Sequence, residues 1–436
     1  MEVLFIFGGV ILAKFLVKNA GPLQGEVTIS GSKNSVLPIM AAALLSDDPC
    51  TILDVPALSD VEVMCDILES IGATIEKDYE AGRIVIDANH ELRSETPAEL
   101  GQRMRASILT MGPLLARDGR TRASLPGGCA IGARPIDLHL KGFEAMGAEI
   151  IFDEEAGTVT AITDGHLHGA RIYLDYPSVG ATENIMAAAV LAEGQTIMEN
   201  VAQEPEIVDL ANYLNKMGAR VKGAGTDIIK IDGVKSLHGT EHNVIPDRIE
   251  TGTFMVAAAI TRGDVLVKNV VPDHVRPIIA KLLECGCQVE EAGDDLDELR
   301  VRGDIKELRG TDIKTLPYPG FPTDMQSQFM ALLTTVHGSS TVIETVFENR
   351  YMHISELNRM GAGIRTEDKS ALIPGDVKLK GTQVVATDLR AGAALVLAGL
   401  AAEGETEILE IRHIERGYAG LVEKLQGIGA DIRRVD

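Results

Sequence analysis

The sequence predicts an α/β protein built from six copies of one unit, with helices inside and sheets outside. The first observation is a helix-like pattern that ends in a glycine followed by a small residue and recurs along the whole chain. The second is a helical run in each unit, rich in Ala, Met and Leu, that is apolar on nearly all sides. A helix of that kind has to be buried all round, so sheets are expected to cover the helices, the inverse of usual α/β layering.

The unit length comes from the turn glycines. They stand at positions 72, 147, 218, 286, 361 and 429, with intervals of 75, 71, 68, 75 and 68 residues. A period this regular is typical of repeated supersecondary units.

The apolar helices and the strands after them define the rest of each unit. The helices are predicted over Ser35 to Leu45, Ala106 to Ala116, Glu183 to Ala192, Thr251 to Ile260, Met325 to Val336 and Ala391 to Ala401. A short β-rich stretch follows each of them, beginning near Cys50, Arg122, Thr196, Val265, Thr341 and Thr406.

Length and charge limit the functions. A chain of 436 residues is too long for one ordinary core, so two domains are expected. The net charge of -23 argues against a nucleic-acid partner. An anionic substrate would therefore have to meet a local group of arginines and lysines.

The first residues resemble neither a membrane span nor a signal peptide. Met1 to Ala13 is apolar apart from Glu2, but it is too short to cross a bilayer and lacks a positive start, so we expect no membrane insertion. Gly8 to Val10 can be encoded by a ribosome-binding-site-like string, and Leu12 by an alternative start codon. We expect residues 1–11 to be a translated leader; intact mass of the native protein tests this.

The cysteines indicate a reducing compartment, which means a cytoplasmic location. Five of them, an odd number, lack the spacing of a disulfide framework. Cys287 takes the place of an alanine in the other five turns and is interpreted as a packing residue. Cys50 and Cys65 are predicted in the core.

Cys129 differs from the others because it lies in a loop. The twelve residues from Ser124 to Pro135 contain two prolines and three glycines, so no helix or strand is expected there. Arg134 stands five positions later, and a nearby positive charge lowers a thiol pKa. The loop alone leaves two interpretations open, a reactive thiol under a mobile lid or a tight turn with a small residue.

Candidate anion-binding groups recur where the apolar helices begin. The sequence has no glycine-rich P-loop and no dinucleotide fingerprint, so side chains and helix N-termini have to bind any phosphate. The candidates are Lys33, Asn34, Arg105, the Ser178-Val179-Gly180 turn, Asp324 and Arg390. Each of them taken alone is better explained as a helix cap or a solvated charge.

Six strings of the sequence carry a resemblance to a known family. They begin at Ser30 (SGSKN), Arg103 (RMRAS), Leu125 (LPGGCAIGARP), Pro322 (PTDMQ), Phe347 (FENR) and His413 (HIERGY). They resemble the enolpyruvyl transferase family, and within it the enzymes that act on UDP-N-acetylglucosamine. The similarity runs in order from about Leu12 to the C-terminus, and the cysteine loop is the most specific part.

The resemblance implies two inverse α/β domains of three units each, with the substrate cleft between them. One domain would comprise residues 12–32 and 244–436, and the other residues 33–243, which carry the cysteine loop. The chain would cross between the domains near Lys33 and Val244.

The resemblance also implies the reaction and the catalytic residues. The enolpyruvyl group of phosphoenolpyruvate would pass to the 3-hydroxyl of UDP-N-acetylglucosamine, with release of phosphate, in the first committed step of peptidoglycan synthesis. Cys129 would be the acid and the site of a covalent adduct, and Asp324 the base, unless Asp324 is a helix cap. Lys33 and Arg416 would complete the catalytic set, while Glu348 and Arg350 resemble structural charges.

The remaining substrate contacts are carried over position by position. They are Asn34, Arg105, Arg134, Pro135, Ile136, Asp137, Leu138, Ser178, Val179, Val346 and Arg390. Tyr176 stands where many relatives have lysine, so no lysine contact to the nucleotide is implied. Gly392 stands where serine is common. We expect no cofactor and no metal, and the oligomeric state is left open.

Two other functions compete with this interpretation. The shikimate-pathway enolpyruvyl transferase shares the six-unit architecture and the chemistry, but the cysteine loop argues against it. A repeat scaffold that binds partners without chemistry would have no reason to keep Cys129, Asp324 and the arginines together. A regulatory paralogue that retains the sugar site stays open as an alternative.

Overall fold

The computed structural model describes residues 13–124 and 136–436, with the side chain of Gln102 left out. Its helices over this part of the chain are α1 Lys33–Ala42, α2 Ser59–Ile71, α3 Ala98–Arg103, α4 Met111–Asp118, α5 Asp137–Ala145, α6 Val179–Ala189, α7 Pro205–Lys216, α8 Arg248–Ile260, α9 Arg276–Cys285, α10 Gln326–Thr334, α11 His353–Arg359, α12 Leu389–Ala401, α13 Arg412–Glu415 and α14 Leu421–Gly427. Short 3-10 helices cover Ala43–Leu45, Arg105–Thr110, Pro272–Val275 and Thr323–Met325. None of the helices described is both long and apolar enough to cross a membrane.

The strands follow the same repeating order along the chain. They are β1 Lys14–Lys18, β2 Gln24–Thr28, β3 Cys50–Leu53, β4 Thr74–Asp78, β5 Arg83–Asp87, β6 Arg120–Ser124, β7 Glu149–Asp153, β8 Thr158–Ile162, β9 Arg171–Tyr173, β10 Gln195–Glu199, β11 Val221–Lys222, β12 Ile228–Asp232, β13 Glu241–Asn243, β14 Asp264–Lys268, β15 Gln288–Ala292, β16 Glu298–Arg302, β17 Ile313–Lys314, β18 Ser340–Ile343, β19 Arg365–Glu367, β20 Ser370–Ile373, β21 Gln383–Val385, β22 Glu405–Leu409 and β23 Asp431–Val435.

These strands form six sheets within the described residues, as six units require. Five sheets have four strands, in the orders β13-β3-β5-β4, β9-β10-β12-β11, β2-β14-β16-β15, β17-β18-β20-β19 and β21-β22-β1-β23. In each, the strand after an apolar helix pairs in parallel with the first strand named. The sixth sheet, β6-β8-β7, has three strands, and a single parallel bridge between Glu95 and Arg122 stands where the others have a strand pair.

The turn glycines have a backbone reason to recur. All six have positive φ angles, from 94° at Gly361 to 119° at Gly72. A left-handed residue at the end of a helix favours glycine, which has no Cβ to clash. The predicted helix-turn repeat is therefore confirmed.

The apolar helices are buried as predicted. Every residue of α8 from Ile249 to Ile260 and every residue of α12 from Arg390 to Leu400 is buried. The sheets lie outside: the strands alternate buried and accessible residues, as in β14, where Val265 and Val267 are buried. The predicted arrangement, with helices inside and sheets outside, is confirmed.

Two hydrophobic clusters form the core. One runs from Val36 to Val244, and the other joins residues 15–29 to residues 249–432. β1 and β2 pair with strands of the C-terminal half, whereas β13 pairs with β3. On this basis we propose to keep the predicted division into residues 12–32 with 244–436 and residues 33–243, called below the first and second halves. Residues 1–12, and with them the leader hypothesis, lie outside the described residues.

Candidate active site

Asp324 lies between two buried arginines. It is in the 3-10 helix that leads into α10, and its side chain is 27% exposed. One carboxylate oxygen accepts a hydrogen bond from Arg350 Nη2 at 2.9 Å, and the other accepts from Arg390 Nε at 3.1 Å. The two arginine side chains are only 3% and 4% exposed. Neither the 3-10 helix nor α10 has a side-chain cap, so the geometry favours an ionic role over the capping alternative.

Arg390 is oriented by its own helix and by an aromatic ring. It is the second residue of α12, whose N-terminal amides, including that of Arg390, are capped by Asp388. Its guanidinium lies 5.5 Å from the centroid of the Tyr418 ring. Burial lowers its pKa, but Asp324 and then Tyr418 outweigh burial and raise the pKa above the ordinary value. Its Nη1 is buried and has no hydrogen-bond partner among the described residues.

Lys33 and Arg416 meet at a carboxylate that the sequence did not single out. Asp60, in the first turn of α2, accepts from Lys33 Nζ at 3.2 Å and from Arg416 Nε at 2.8 Å. Arg416 comes from the first half and Asp60 from the second, so this ion pair bridges the two halves. Asp60 was missed because an acidic residue in the first turn of a helix is ordinarily explained by the helix dipole.

The position of Lys33 is fixed at both ends. Its backbone N–H donates to Asp247 Oδ2 at 3.3 Å, while the other oxygen of Asp247 caps α8. Burial lowers the pKa of Lys33 below its ordinary value, with Arg390 and Arg416 adding to the effect and Asp60 opposing it. The structure therefore brings Lys33, Arg390 and Arg416 into one electrostatic cluster, and Asp324 joins it through Arg390.

A second group of predicted residues surrounds the start of α6. Ser178 caps this helix by accepting from the Ala181 N–H at 3.3 Å, and Val179 is its first residue. Gly180 packs against His139, since a Cβ built on Gly180 would lie 3.3 Å from His139 Cε1.

His139 links α6 to the helix that starts at the predicted Asp137 and Leu138, with Ile136 at the position before it. Burial, and after it the charge of Arg105, lowers the pKa of His139 to about 3, so the ring is neutral. Its Nδ1 lies 3.0 Å from Asn184 Nδ2. The two predicted residue groups at α5 and α6 are therefore in contact through a histidine that sequence reasoning missed.

The remaining predicted contacts come from both halves. Val346 donates its N–H to Glu344 Oε1 at 2.8 Å, and Asn34 is the partly buried second residue of α1. Tyr176 is 43% exposed. Burial, followed by the charges of Glu204 and Glu344, raises its pKa. The charge of Glu344 in the first half therefore acts on Tyr176 in the second half.

Cys129, Arg134 and Pro135 lie outside the described residues, so the cysteine-loop prediction stays a prediction. The other cysteines are buried free thiols, as predicted for Cys50, Cys65 and Cys287. Burial raises the pKa of Cys65, Cys285 and Cys287 to about 12. These thiols are packing groups rather than nucleophiles.

One cavity of about 510 Å³ is lined by other residues. It is open to solvent between α9 and the β17-β18 edge, with Lys281, Lys314 and Phe321 in its lining. None of the predicted site residues within the described ranges lines it. The predicted residues Lys33, Asp324, Arg390 and Arg416 therefore lie in the charged cluster between the halves and not in the lining of this cavity.

The fold and the family comparison define the class of protein. A family model described as EPSP synthase (3-phosphoshikimate 1-carboxyvinyltransferase) matches residues 17–425. The enolpyruvyl transferase NikO from Streptomyces tendae superposes with a TM-score of 0.86 at 26% identity, covering 97% of this chain and 99% of its own. EPSP synthase from Acinetobacter baumannii, at 20% identity and a TM-score of 0.75 over 98% of this chain and all of its own, shares the fold.

Sequence relatives narrow the class. A UDP-N-acetylglucosamine 1-carboxyvinyltransferase 1 from Caldanaerobacter subterraneus is 60% identical over 422 residues, which is 97% of this chain and 99% of its own. A UDP-N-acetylglucosamine 1-carboxyvinyltransferase from Halothermothrix orenii is 57% identical over 97% of this chain and 100% of its own. The chain therefore belongs to the EPSP synthase family of transferases, and within it to the UDP-N-acetylglucosamine 1-carboxyvinyltransferases.

Proposed function

We propose that the protein transfers the enolpyruvyl group of phosphoenolpyruvate to the 3-hydroxyl of UDP-N-acetylglucosamine and releases phosphate. The observation that carries the proposal is the cluster between the halves: Lys33, Arg390 and Arg416 lie within electrostatic reach of one another, and Asp324 binds Arg390. Phosphoenolpyruvate carries a carboxylate and a phosphate, which are the groups that arginine forks and lysine bind. The names of the relatives supply the acceptor.

The reaction proceeds by addition and then elimination. In the addition, C3 of phosphoenolpyruvate gains a proton, the sugar 3-oxygen forms a bond to C2, and the hydroxyl proton passes to a base. In the elimination, C3 loses a proton, the bond from C2 to the phosphate oxygen breaks, and the double bond forms again. The enzyme has to supply an acid at C3, a base at the hydroxyl and cations around the two anionic groups.

The residues divide these tasks. Cys129 delivers the proton to C3, Asp324 accepts the proton of the sugar hydroxyl, and Lys33, Arg134, Arg390 and Arg416 bind the carboxylate and the phosphate. Asp324 can remain ionised among bound anions because Arg350 and Arg390 compensate its charge. Arg350 keeps the structural role predicted for it, since it holds Asp324 and takes no part in the chemistry.

The acceptor binds along the second group of residues. The free N–H groups at the start of α6, beyond the Ser178 cap, suit the diphosphate. Asn34, Arg105, Pro135 to Leu138 and Val346 contact the sugar and the nucleotide, and Tyr176 replaces the missing lysine near uridine. We place this reaction at the start of peptidoglycan synthesis. We also propose a cytoplasmic location, which the free thiols support.

Phosphate release tests the proposal and separates the two carboxyvinyltransferase reactions. We expect release from phosphoenolpyruvate with UDP-N-acetylglucosamine, and none with 3-phosphoshikimate or with phosphoenolpyruvate alone. Release with 3-phosphoshikimate would support the shikimate-type reaction instead. Binding of the UDP-sugar without any release would support a regulatory paralogue.

A further inference from the structure

Asp60 is a buried carboxylate whose contacts lie within the phosphoenolpyruvate-binding cluster. It is 4% exposed and belongs to α2, a helix that otherwise packs into the core of the second half. Its two oxygens contact Lys33 at the start of α1 and Arg416 just after α13. Both partners belong to the cation set of the proposed reaction, so Asp60 touches the substrate-binding groups and not the surface.

We propose that Asp60 is a positioning residue that holds Lys33 and Arg416 in the geometry that receives phosphoenolpyruvate. The inference rests on the proposed function and adds a residue to it. Asp60 does not touch the substrate, and it acts through the two cations.

The geometry of Arg416 shows how this works. Asp60 accepts from Nε at 2.8 Å and from Nη2 at 3.5 Å, which lie on one edge of the guanidinium. The Arg416 side chain is 39% exposed, whereas that of Asp60 is 6% exposed. The planar guanidinium has five N–H donors, so binding through one edge leaves donors on the other edge for an anion. Asp60 therefore orients Arg416 and leaves it able to bind.

The charge balance is compatible with anion binding. Lys33, Arg350, Arg390 and Arg416 are four cations, and Asp60, Asp324 and the Asp247 carboxylate at the Lys33 backbone N–H are three carboxylates, so these seven groups keep an excess of positive charge. Without Asp60, Lys33 and Arg416 would repel each other across the cleft. Asp60 reduces that repulsion and still leaves charge to attract a substrate anion.

The protonation of Lys33 links this role to a measurable pH effect. Burial and the two arginines lower the pKa of Lys33, and Asp60 opposes them. Loss of the Asp60 charge would lower the pKa of Lys33 further, so the lysine would lose its proton at a lower pH. The alkaline limb of kcat/KM for phosphoenolpyruvate should then move to lower pH.

The experiment compares Asp60→Asn and Asp60→Glu with the parent and with Asp66→Asn. Asp66 is on the same helix, but it is 44% exposed and pairs with Arg103 at 3.6 Å on the surface. We expect Asp60→Asn to raise the KM for phosphoenolpyruvate about tenfold or more, to move the alkaline limb down, and to keep UDP-N-acetylglucosamine affinity within about threefold. Asp60→Glu keeps the charge, so its alkaline limb should stay at the parent pH while its KM rises.

Three results would overturn the inference. One is that Asp60→Asn keeps the parent's KM for phosphoenolpyruvate and the parent's alkaline limb, which is the result expected of the control Asp66→Asn. Another is an alkaline limb that moves equally in Asp60→Glu, because that variant retains the carboxylate. The third is an equal loss of UDP-sugar affinity in both Asp60 variants, which would indicate a general structural role. If the parent protein released no phosphate at all, the proposed function would fail instead. That result differs from the three above, because each of them requires a parent protein that is active.

Discussion

Replacing Asp324 should affect stability and turnover to different extents. Asp324→Ala removes the carboxylate from two arginines whose side chains are 3% and 4% exposed. Removing one partner of a buried ion pair costs about 3 to 5 kcal/mol. Because the Asp324 side chain is itself 27% exposed, water compensates in part, and we expect the lower end, about 3 kcal/mol.

Asp324→Asn removes the charge but keeps an oxygen that can accept from one arginine. This variant should lose less of the free energy of unfolding, about 1 to 2 kcal/mol. For a domain of about 200 residues, 1 kcal/mol shifts Tm by about 2 to 4 °C, so the Ala variant should melt about 6 to 12 °C below the parent. The Asn variant should bind UDP-N-acetylglucosamine within about tenfold of the parent and turn over about a hundredfold more slowly or worse.

The assay combines thermal unfolding, calorimetry with the UDP-sugar and phosphate release. Glu26→Gln is the control, because Glu26 is 62% exposed and pairs with Lys268 at 3.0 Å on the surface of the same half. It should change stability by less than about 1 kcal/mol. An Asp324→Ala protein as stable as this control would refute the ionic role. Asp324→Asn turning over at the parent rate, or losing activity only through lost sugar binding, would refute the assignment of the base.

The remaining predictions concern thiols, a buried acid and a helix contact. Brief alkylation should modify Cys129 first, because burial raises the pKa of Cys65, Cys285 and Cys287; mass spectrometry showing Cys65 labelled first would contradict this. The pKa of Glu183 is raised by burial, and after burial by the charges of Glu206 and Glu204. The stability of the folded protein should therefore fall as the pH rises from the ordinary pKa of a glutamate to the raised pKa of Glu183. Glu183→Gln should flatten that fall by about 1.4 kcal/mol per pH unit between the two pKa values; urea unfolding at several pH values, with no change in slope, would count against it. Gly112→Ala should destabilise by about 1 to 3 kcal/mol in urea unfolding, since its Cβ would lie 2.2 Å from the Asn184 carbonyl oxygen, whereas Gly427→Ala, with nothing within 4 Å, should not; equal effects would refute the packing argument.

The fold was predictable because short local sequence patterns mark each copy of the repeat. Each turn glycine marks a positive φ angle, and each apolar run marks a buried helix. The three-stranded sheet was not predictable. The residues around Glu95 form a single bridge instead of a strand, and their composition does not indicate this difference.

The site was predictable only in part. Helix starts pointed to Lys33, Ser178, Asp324 and Arg390, because an N-terminus leaves N–H groups free. Which charges pair depends on long-range contacts. Asp60 is 356 residues from Arg416 and Arg350 is 26 residues from Asp324, and no local pattern connects them. His139 was missed for the same reason.

The structure of the reaction product tests the central claim most directly. The protein is incubated with phosphoenolpyruvate and UDP-N-acetylglucosamine, and the product is isolated and examined by NMR. We predict an enolpyruvyl ether on the 3-oxygen of the sugar, formed in equal amount to the phosphate released. A product joined at another hydroxyl, or phosphate release that leaves the UDP-sugar unchanged, would contradict the account.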